Sequence, residues 1–241
     1  MQQRLPSLVQ PPWLFAHRGA RAHERENTMV AFRLAIKLGA TGLESDVWLT
    51  SDGVAVLDHD GWVGPRWRRR PIADTVSTAL PKHIPTLAEL ADLAQVHQLA
   101  LSLDIKDAAA YDVVAHTLAD VSSDLVGRSF ICCEDFALLQ TIAPRLRNLQ
   151  LIDSSRLASM KTGPERRLAD LSNLGVVGLN MHHTDWNGGL VALAHRFEIA
   201  AFSWDLQHTE QLQDAFLMGI DAVYSDWSDR MVDARSQIFK T

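Results

Sequence analysis

Cysteine is nearly absent from the sequence. Only Cys132 and Cys133 occur among 241 residues, and they are neighbours. A disulfide between adjacent residues is strained and closes no long loop, so disulfides are excluded as the source of stability. No other cysteine or histidine follows at the spacing of zinc ligands, so we expect no zinc site and two reduced cysteines within a strand.

Long apolar runs and an excess of basic residues are also missing. No run approaches the ~18 apolar residues of a membrane span, and residues 1–10 contain no apolar stretch of secretory length. Lysine and arginine number 23 against 29 aspartates and glutamates, and the net charge of −6 argues against a general nucleic-acid binder. We therefore expect a cytoplasmic protein without a nucleic-acid partner.

Short apolar segments alternate along the chain with segments that have the apolar spacing of helices. Strand-like segments occupy residues 13–17, 42–49, 99–105, 129–133, 149–152, 176–180, 199–204 and 222–224. A hairpin partner at 54–57 follows the second of them. Strands that alternate with helices pair in parallel, and eight such units close into a barrel. The sequence thus predicts an α/β fold, a single (β/α)8 TIM barrel over residues 1–241 with a short insertion at 61–82 after the hairpin.

Two carboxylates and two histidines stand at predicted strands. Glu44 and Asp46 point to one face of their strand, because side chains alternate with period 2. Two carboxylates on one face repel each other unless a cation lies between them, and oxygen ligands favour a hard divalent metal. His17 and His59 each end an apolar strand and flank this pair. Two imidazoles beside a metal-bound ester suit general acid and general base roles, and the pattern leaves open which is which.

An ordered set of motifs extends this pattern over nearly the whole chain. It comprises His17-Arg18-Gly19, Glu26-Asn27-Thr28, Glu44-x-Asp46-Val47, Thr50-x-Asp52-Gly53, His59-Asp60, Ile84-Pro85-Thr86-Leu87-x-Glu89, Leu101-Ser102-Leu103-Asp104-Ile105-Lys106, Trp204 and Gly219-Ile220-Asp221-Ala222-x-x-x-Asp226. The set resembles the glycerophosphodiester phosphodiesterase family, which belongs to the phospholipase C-like phosphodiesterase barrels. The tripeptide His-Arg-Gly alone is weak evidence, whereas the ordered set is specific.

The resemblance implies roles for four further residues. Asp104 stands where the family usually has glutamate and would be the third metal ligand; the alternative is a structural pair with Lys106. Arg18 would bind phosphate oxygens through its planar guanidinium, and Lys106 would neutralise substrate phosphate. Trp204 resembles the family's pocket tryptophan. The implied cofactor is a divalent metal, Mg²⁺ or Ca²⁺, on Glu44, Asp46 and Asp104.

The family hydrolyses glycerophosphodiesters to an alcohol and sn-glycerol 3-phosphate, a reaction of lipid and glycerol metabolism. The resemblance implies the same hydrolase activity here, on a small-molecule diester and with histidine acid/base catalysis. Two alternatives stay open. One is a lysophospholipase D-like enzyme that acts on a lysophospholipid with transient membrane-surface contact. The other is a barrel that binds phosphodiesters without turnover, and the intact set of histidines and carboxylates argues against it.

Several other polar residues have structural interpretations. We interpret Asn27 as a helix N-cap, the His182-His183 pair as part of a loop, and His195 as a surface residue. The segment 61–82 is either a solvated loop or a short lid whose aromatic rings pack on an alcohol or acyl chain. It contains Trp62, Trp67, Arg66, Arg68, Arg69 and Arg70.

Overall fold

Strands and helices alternate through the computed structural model, which describes residues 4–239. The strands are β1 (Trp13–Ala16), β2 (Gly42–Leu49), β3 (Ala55–Leu57), β4 (Trp62–Val63), β5 (Arg70–Pro71), β6 (Ala100–Ile105), β7 (Ser129–Cys133), β8 (Gln150–Ser154), β9 (Gly178–His182), β10 (Ala200–Trp204) and β11 (Ala222–Ser225). The α-helices are α1 (Met29–Lys37), α2 (Leu87–Val96), α3 (Ala110–Val121), α4 (Ser123–Gly127), α5 (Phe136–Ile142), α6 (Pro164–Leu174), α7 (Gly188–Arg196), α8 (Thr209–Met218) and α9 (Ser228–Ile238). Within the described residues, no helix has the length and apolar content that a bilayer crossing requires.

Eight of the strands form a closed parallel barrel with helices between them. Their order around the ring is β1, β11, β10, β9, β8, β7, β6 and β2. The ring closes because β1 pairs with β2 as well as with β11. β3 lies outside the ring and pairs antiparallel with β2. The predicted (β/α)8 TIM barrel is therefore confirmed, together with the hairpin on its second strand.

Two of the differences from the sequence-based element boundaries have a clear local cause. The short helix α4 was not predicted; it is separate because Ser122 leaves α3 in an extended conformation and its side chain accepts a hydrogen bond from Asp124 N. β9 lies two residues later than the predicted 176–180. The apolar residues Val176 and Val177 favoured the earlier start, whereas pairing with β8 and β10 begins at Gly178. His182 is consequently a strand residue and not part of a loop.

Side chains inside the barrel form layers, because every second residue of a strand points inward. The lower layer is apolar and aromatic, and Phe15 stacks on Tyr224 with ring centroids 5.0 Å apart. Gly42 provides the space for this layer, because a Cβ there would meet the Phe15 ring at 2.5 Å. One inward position further along the strands, the side chains become polar. These are His17, Glu44, Ser102 and Asn180. The barrel therefore has an apolar floor and a polar mouth at the C-terminal ends of its strands.

The segment 61–82 folds into a small layer of its own. β4 and β5 pair as a two-stranded antiparallel sheet, and short 3-10 turns cover residues 66–68, 72–74 and 77–79. Val63 and Ile72 anchor the segment in an apolar cluster with Val56. On the other side Trp67 is 88% exposed and Trp62 is 49% exposed. The segment is thus ordered by its anchor and presents its tryptophans outward.

Two structural interpretations from the sequence are wrong. Asn27 is not the N-cap of α1, because Thr28 occupies that position and its side chain accepts a hydrogen bond from Ala31 N. His195 is not a surface residue, because its Nε2 lies 2.8 Å from Oδ2 of the fully buried Asp221. Both errors concern contacts that depend on how elements pack. The prediction for the cysteines agrees with the structure, where both are free and buried at the end of β7.

Candidate active site

The C-terminal ends of the barrel strands surround a cavity of about 720 Å³. Every residue for which the sequence predicts a catalytic, metal-binding or substrate-binding role lines this one cavity. These residues are His17, Arg18, Glu44, Asp46, His59, Asp104, Lys106 and Trp204. They lie on β2, β6 and β10 and in the residues that follow β1, β3 and β6. Because catalysis in this fold takes place at the C-terminal ends of the strands, the cavity is the candidate active site.

The turn His17-Arg18-Gly19 connects β1 to the cavity. Gly19 has a φ of 81°, and a Cβ on it would lie 2.8 Å from atoms of Ala31, so only glycine allows α1 to approach this closely. The turn directs the backbone N–H of Arg18 to Glu44 Oε2, which accepts at 2.8 Å. The guanidinium Nε of Arg18 lies 3.3 Å from Asp46 Oδ2. Arg18 therefore holds Glu44 through its backbone N–H and places its positive charge beside Asp46.

His17 lies between two carboxylates. Its Nδ1 is 2.6 Å from Asp226 Oδ1, and its Nε2 is 3.9 Å from Glu44 Oε2. Burial lowers the pKa of His17, but Glu44 and Asp226 outweigh this effect, so the net pKa lies above its ordinary value. Partial burial raises the pKa of Asp226, but the bond to His17 outweighs it and the pKa of this carboxyl lies below its usual range. The Asp226 contact orients the ring with Nε2 towards β2.

Three carboxylates lie on two adjacent strands of the site; Glu44 and Asp46 are buried, and Asp104 is partly buried. β2 and β6 pair in register, so Asp46 lies opposite Asp104. The Lys106 ammonium bridges them: it contacts Asp104 Oδ2 and lies 3.4 Å from Asp46 Oδ1. Burial raises the pKa of Glu44 to about 7. Burial also raises the pKa of Asp104, while Lys106 opposes that shift. Ionising all three carboxylates together therefore requires more positive charge close by.

The carboxylates fit a hard divalent cation chemically. Their donors are all oxygen, which Mg²⁺ and Ca²⁺ prefer. Asp104 forms an ion pair with Lys106, which the sequence offered as the alternative to a metal-ligand role. This pair uses only Oδ2 of Asp104. Asp104 Oδ1 is buried without a hydrogen-bond partner among residues 4–239, which is costly unless a cation or donor reaches it. In this conformation the three carboxylates do not bring one oxygen each within 4.8 Å of the others, and Lys106 Nζ bridges Asp46 and Asp104.

Asn27 belongs to the site, although the sequence placed it in a helix cap. Its Nδ2 donates to Asp46 Oδ2 at 3.2 Å, and its Oδ1 accepts from Ser45 Oγ at 2.7 Å. The residue is buried, with a φ of 51°. Side chains that orient carboxylates in this way tune a metal site from outside its ligand set. The sequence signal was the motif Glu26-Asn27-Thr28, but the contact itself depends on how this turn folds onto β2.

His59 connects the main cavity to a second one of about 410 Å³, which also contains Trp62 and Arg69. Its Nδ1 lies 2.9 Å from Asp60 Oδ1, so the neighbouring carboxylate orients the ring. The side chain is 40% exposed, compared with 27% for His17. The two histidines therefore differ in solvation, and the segment 61–82 forms part of the wall beside His59.

A second group of candidate ligands lies at the same mouth of the barrel. His182 ends β9, His183 follows it, and Asp205 follows β10. One ligand atom from each of these three residues lies within 4.8 Å of the other two. Over the described part of the chain, no other three His, Cys, Asp or Glu side chains come this close. The sequence interpretation of the histidine pair as a loop missed this group, because Asp205 joins it only through the pairing of β9 with β10.

The fold and the site together define a TIM barrel with histidines and carboxylates at the C-terminal ends of its strands. Residues 17–230 match the model of the glycerophosphoryl diester phosphodiesterase family, and the chain belongs to this family. Glycerophosphodiester phosphodiesterase 1 of Rattus norvegicus is 33% identical over 137 residues, which cover 48% of this chain and 41% of the rat protein. The alignment thus spans less than half the length of that curated relative.

Two solved structures show the same fold. The glycerophosphodiester phosphodiesterase of Thermotoga maritima has a TM-score of 0.77 at 22% identity, with 91% of this chain and 96% of that chain covered. A phosphodiesterase from Oleispira antarctica, solved in complex with the product sn-glycerol-3-phosphate, has a TM-score of 0.72 at 19% identity. That match covers 92% of this chain and 96% of the other. At these identities the similarity establishes the architecture.

Proposed function

We propose that this chain hydrolyses glycerophosphodiesters to an alcohol and sn-glycerol 3-phosphate with the help of a divalent metal. The observation that carries the proposal is the position of His17, whose Nδ1 is held by Asp226 while its Nε2 lies 3.9 Å from Glu44. An oriented imidazole beside a cation-binding cluster is the arrangement that acid/base hydrolysis of a charged ester needs. Family membership and the product bound to the Oleispira antarctica relative support this substrate class.

Glu44, Asp46 and Asp104 are the residues that would hold the metal, Mg²⁺ or Ca²⁺. When bound, such an ion supplies charge for a phosphate oxygen and lowers the pKa of a neighbouring hydroxyl. Lys106 would turn from its two aspartates to the substrate phosphate. Arg18 would stabilise the charge that develops on the equatorial phosphate oxygens.

His17 is the better placed of the two histidines for the general base. Asp226 accepts a hydrogen bond from Nδ1–H and leaves the lone pair of Nε2 directed towards Glu44, where the glycerol hydroxyl would bind. His59, oriented by Asp60, would protonate the leaving alcohol. The hydroxyl would attack phosphorus to form a cyclic phosphate, and water would then open the ring. Each proton transfer contributes ~10²–10⁴ to the rate in comparable enzymes.

A lysophospholipase D-like activity is a second candidate, and one observation favours it. Trp62 lines the second cavity together with His59, so an aromatic surface continues from the catalytic histidine to the outside. Trp67 on the same segment is 88% exposed. Exposed tryptophans at a cavity entrance suit an acyl chain or a lipid surface. A lysophospholipid would place its headgroup at His59 and its chain along Trp62.

A product screen tests both candidates. The full chain is incubated with glycerophosphoethanolamine, glycerophosphocholine and a lysophospholipid, with Mg²⁺ or Ca²⁺ present, and sn-glycerol 3-phosphate and the released alcohol are quantified. We expect sn-glycerol 3-phosphate from at least one glycerophosphodiester. Release of lysophosphatidate with no sn-glycerol 3-phosphate would replace the first candidate by the second. No product from any diester would overturn both.

A further inference from the structure

We infer that His182, His183 and Asp205 form a second metal site at the barrel mouth, built for a transition ion of the zinc class. The three side chains reach one point because β9 and β10 pair in parallel with His182 opposite Trp204. The residues that follow each strand, His183 and Asp205, are therefore neighbours. His182 Nε2 lies 3.2 Å from Asp205 Oδ2, and the two imidazole centroids are 4.5 Å apart.

Partners outside the group orient His182 and Asp205. Thr184 Oγ1 lies 2.7 Å from His182 Nδ1, and the backbone N–H of Thr184 donates to the same nitrogen at 3.3 Å, so Thr184 fixes the orientation of the His182 ring with Nε2 towards Asp205. The Gln207 amide donates to Asp205 Oδ1 at 3.1 Å and so holds Oδ2 towards His182. Asp205 has a φ of 64°, a conformation that costs energy for a residue other than glycine and persists where the surroundings impose it. Hydrogen-bonded partners of this kind are characteristic of metal ligands.

A bound ion would replace two contacts, the one between His182 Nε2 and Asp205 Oδ2 and one made by His183. The side-chain amide of Gln211 lies 3.3 Å from His183 Nε2, a long hydrogen bond. Gln211 Oε1 accepts from the backbone N–H groups of Gln207 and His208, which fixes the direction of the amide. A metal bond to an imidazole nitrogen is far stronger than one long neutral hydrogen bond, so this exchange favours the bound ion.

The ligand types decide the class of ion. Two imidazoles and one carboxylate are the ligand set of zinc sites that keep an open position, whereas Mg²⁺ and Ca²⁺ take oxygen ligands. An independent observation concerns Asn180, which lies on the same face of β9 as His182 and lines the main cavity. Its Oδ1 is buried and has no hydrogen-bond partner in the part of the chain that the structure describes. An acceptor in this position suits a ligand molecule that enters beside the ion.

The site faces the carboxylate cluster across the barrel. In the ring of eight strands, β9 is separated from β2 by three strands on either side, and β10 likewise from β6. Asp205 lines the same cavity as Glu44 and Asp104. An ion with an open position there would bind an anionic or hydroxyl-bearing end of a molecule that spans the cavity. Assigning that end to the alcohol half of a diester rests on the proposed function, whereas metal binding itself does not.

Cobalt spectroscopy on the full chain tests the site independently of turnover. The protein is stripped with a chelator, Co²⁺ is added while visible absorption is recorded, and Zn²⁺ and Mg²⁺ are then used as competitors. We expect the strong d–d absorption of nitrogen-ligated, low-coordinate Co²⁺, displaced by equimolar Zn²⁺ and retained in excess Mg²⁺. Asp205→Asn and His183→Ala should each weaken Co²⁺ binding at least ~10-fold. Asparagine tolerates a positive φ, so the first substitution preserves the backbone.

Two further variants separate the alternatives. His97→Ala removes an exposed histidine at the end of α2 and should leave the spectrum unchanged. Glu44→Gln disrupts the carboxylate cluster and should also leave it unchanged. The inference is overturned if the absorption is absent from wild type, if it survives in both Asp205→Asn and His183→Ala, or if Glu44→Gln abolishes it. Circular dichroism of each variant confirms that the barrel is intact.

Discussion

The side chains of His17 and Asp226 meet although 209 positions separate them in sequence: Nδ1 of the histidine lies 2.6 Å from Oδ1 of the aspartate. β1 and β11 pair with Ala16 opposite Ser225, so the residues that follow them are neighbours where the barrel closes. The protonation state of His17 therefore depends on barrel closure. The orientation of His17 needs the complete ring of strands.

The Asp226 contact predicts a directional change in pH dependence. Asp226→Asn removes a carboxylate that raises the pKa of His17, so that pKa should fall. A general base acts when deprotonated, so the acidic limb of the kcat/KM profile should move to lower pH and kcat should fall about tenfold or more. Asp214→Asn, an exposed aspartate of α8, is the matched control and should leave the profile unchanged. Movement of the alkaline limb instead would make His17 the general acid.

Metal dependence is predicted from the three carboxylates Glu44, Asp46 and Asp104. Chelation should abolish hydrolysis, and Glu44→Gln should mimic it, because the amide loses the charge that the cation needs. Isothermal titration with Mg²⁺ and Ca²⁺ measures the binding directly. Glu165→Gln on the exposed face of α6 is the control and should bind the ion like wild type. Full turnover by the chelated enzyme would contradict the prediction.

Removal of either histidine should reduce kcat and leave the fold unchanged. His17→Ala and His59→Ala are each expected to lower kcat by ~10²–10⁴, the usual contribution of one proton transfer. Steady-state kinetics and circular dichroism on the same preparations separate a catalytic loss from unfolding. The variant His97→Ala provides the baseline. If a variant kept more than about a tenth of the wild-type rate, the histidine that it lacks would be neither the general acid nor the general base.

Asn27 is predicted to act on metal affinity through Asp46. Asn27→Gly keeps the left-handed backbone but removes the amide that donates to Asp46 Oδ2. We expect metal affinity to fall ~10–100-fold, with much smaller losses of kcat at saturating metal. Gln98→Gly is a matched control, because Gln98 also has a positive φ, 54°, and lies outside the site. Equal effects of both substitutions would mean that only backbone flexibility matters.

The aromatic part of the segment 61–82 should discriminate between substrates by size. Replacing Trp62 and Trp67 by alanine should raise KM for lysophospholipids about tenfold, equivalent to ~1.4 kcal/mol, and leave KM for glycerophosphoethanolamine nearly unchanged. Val96→Ala, an exposed apolar residue on α2, is the control. Equal changes in KM for small and large substrates would mean that the segment has no role in substrate selection.

The arginines of this segment should act through charge. Substituting Arg66, Arg68, Arg69 and Arg70 by glutamine removes four exposed positive charges, of which Arg69 lines the second cavity. Binding of anionic substrates should weaken, and its dependence on ionic strength should flatten, because exposed charges are screened by salt. Kinetics between low and physiological salt measure the slope. An unchanged slope would exclude electrostatic attraction by these residues.

The sequence predicted the barrel and several of the residues that line its cavity. Alternating apolar segments predict parallel strands, and the ends of parallel strands lie on one side of the fold. The pattern therefore places Glu44 and Asp46 together at the barrel mouth, and the family resemblance adds Asp104 to them. The ordered motifs added Arg18 and Trp204 from the family resemblance, and both line the cavity.

Contacts between elements were decided by the tertiary structure. The sequence around Asn27 is typical of a helix cap. Its amide donates a hydrogen bond to Asp46 only because the turn that contains Asn27 packs on β2. The shift of β9 by two residues brings His182 to a strand end beside Asp205. The physical reason is that periodicity specifies which face a side chain occupies. Register and barrel closure then determine which faces meet.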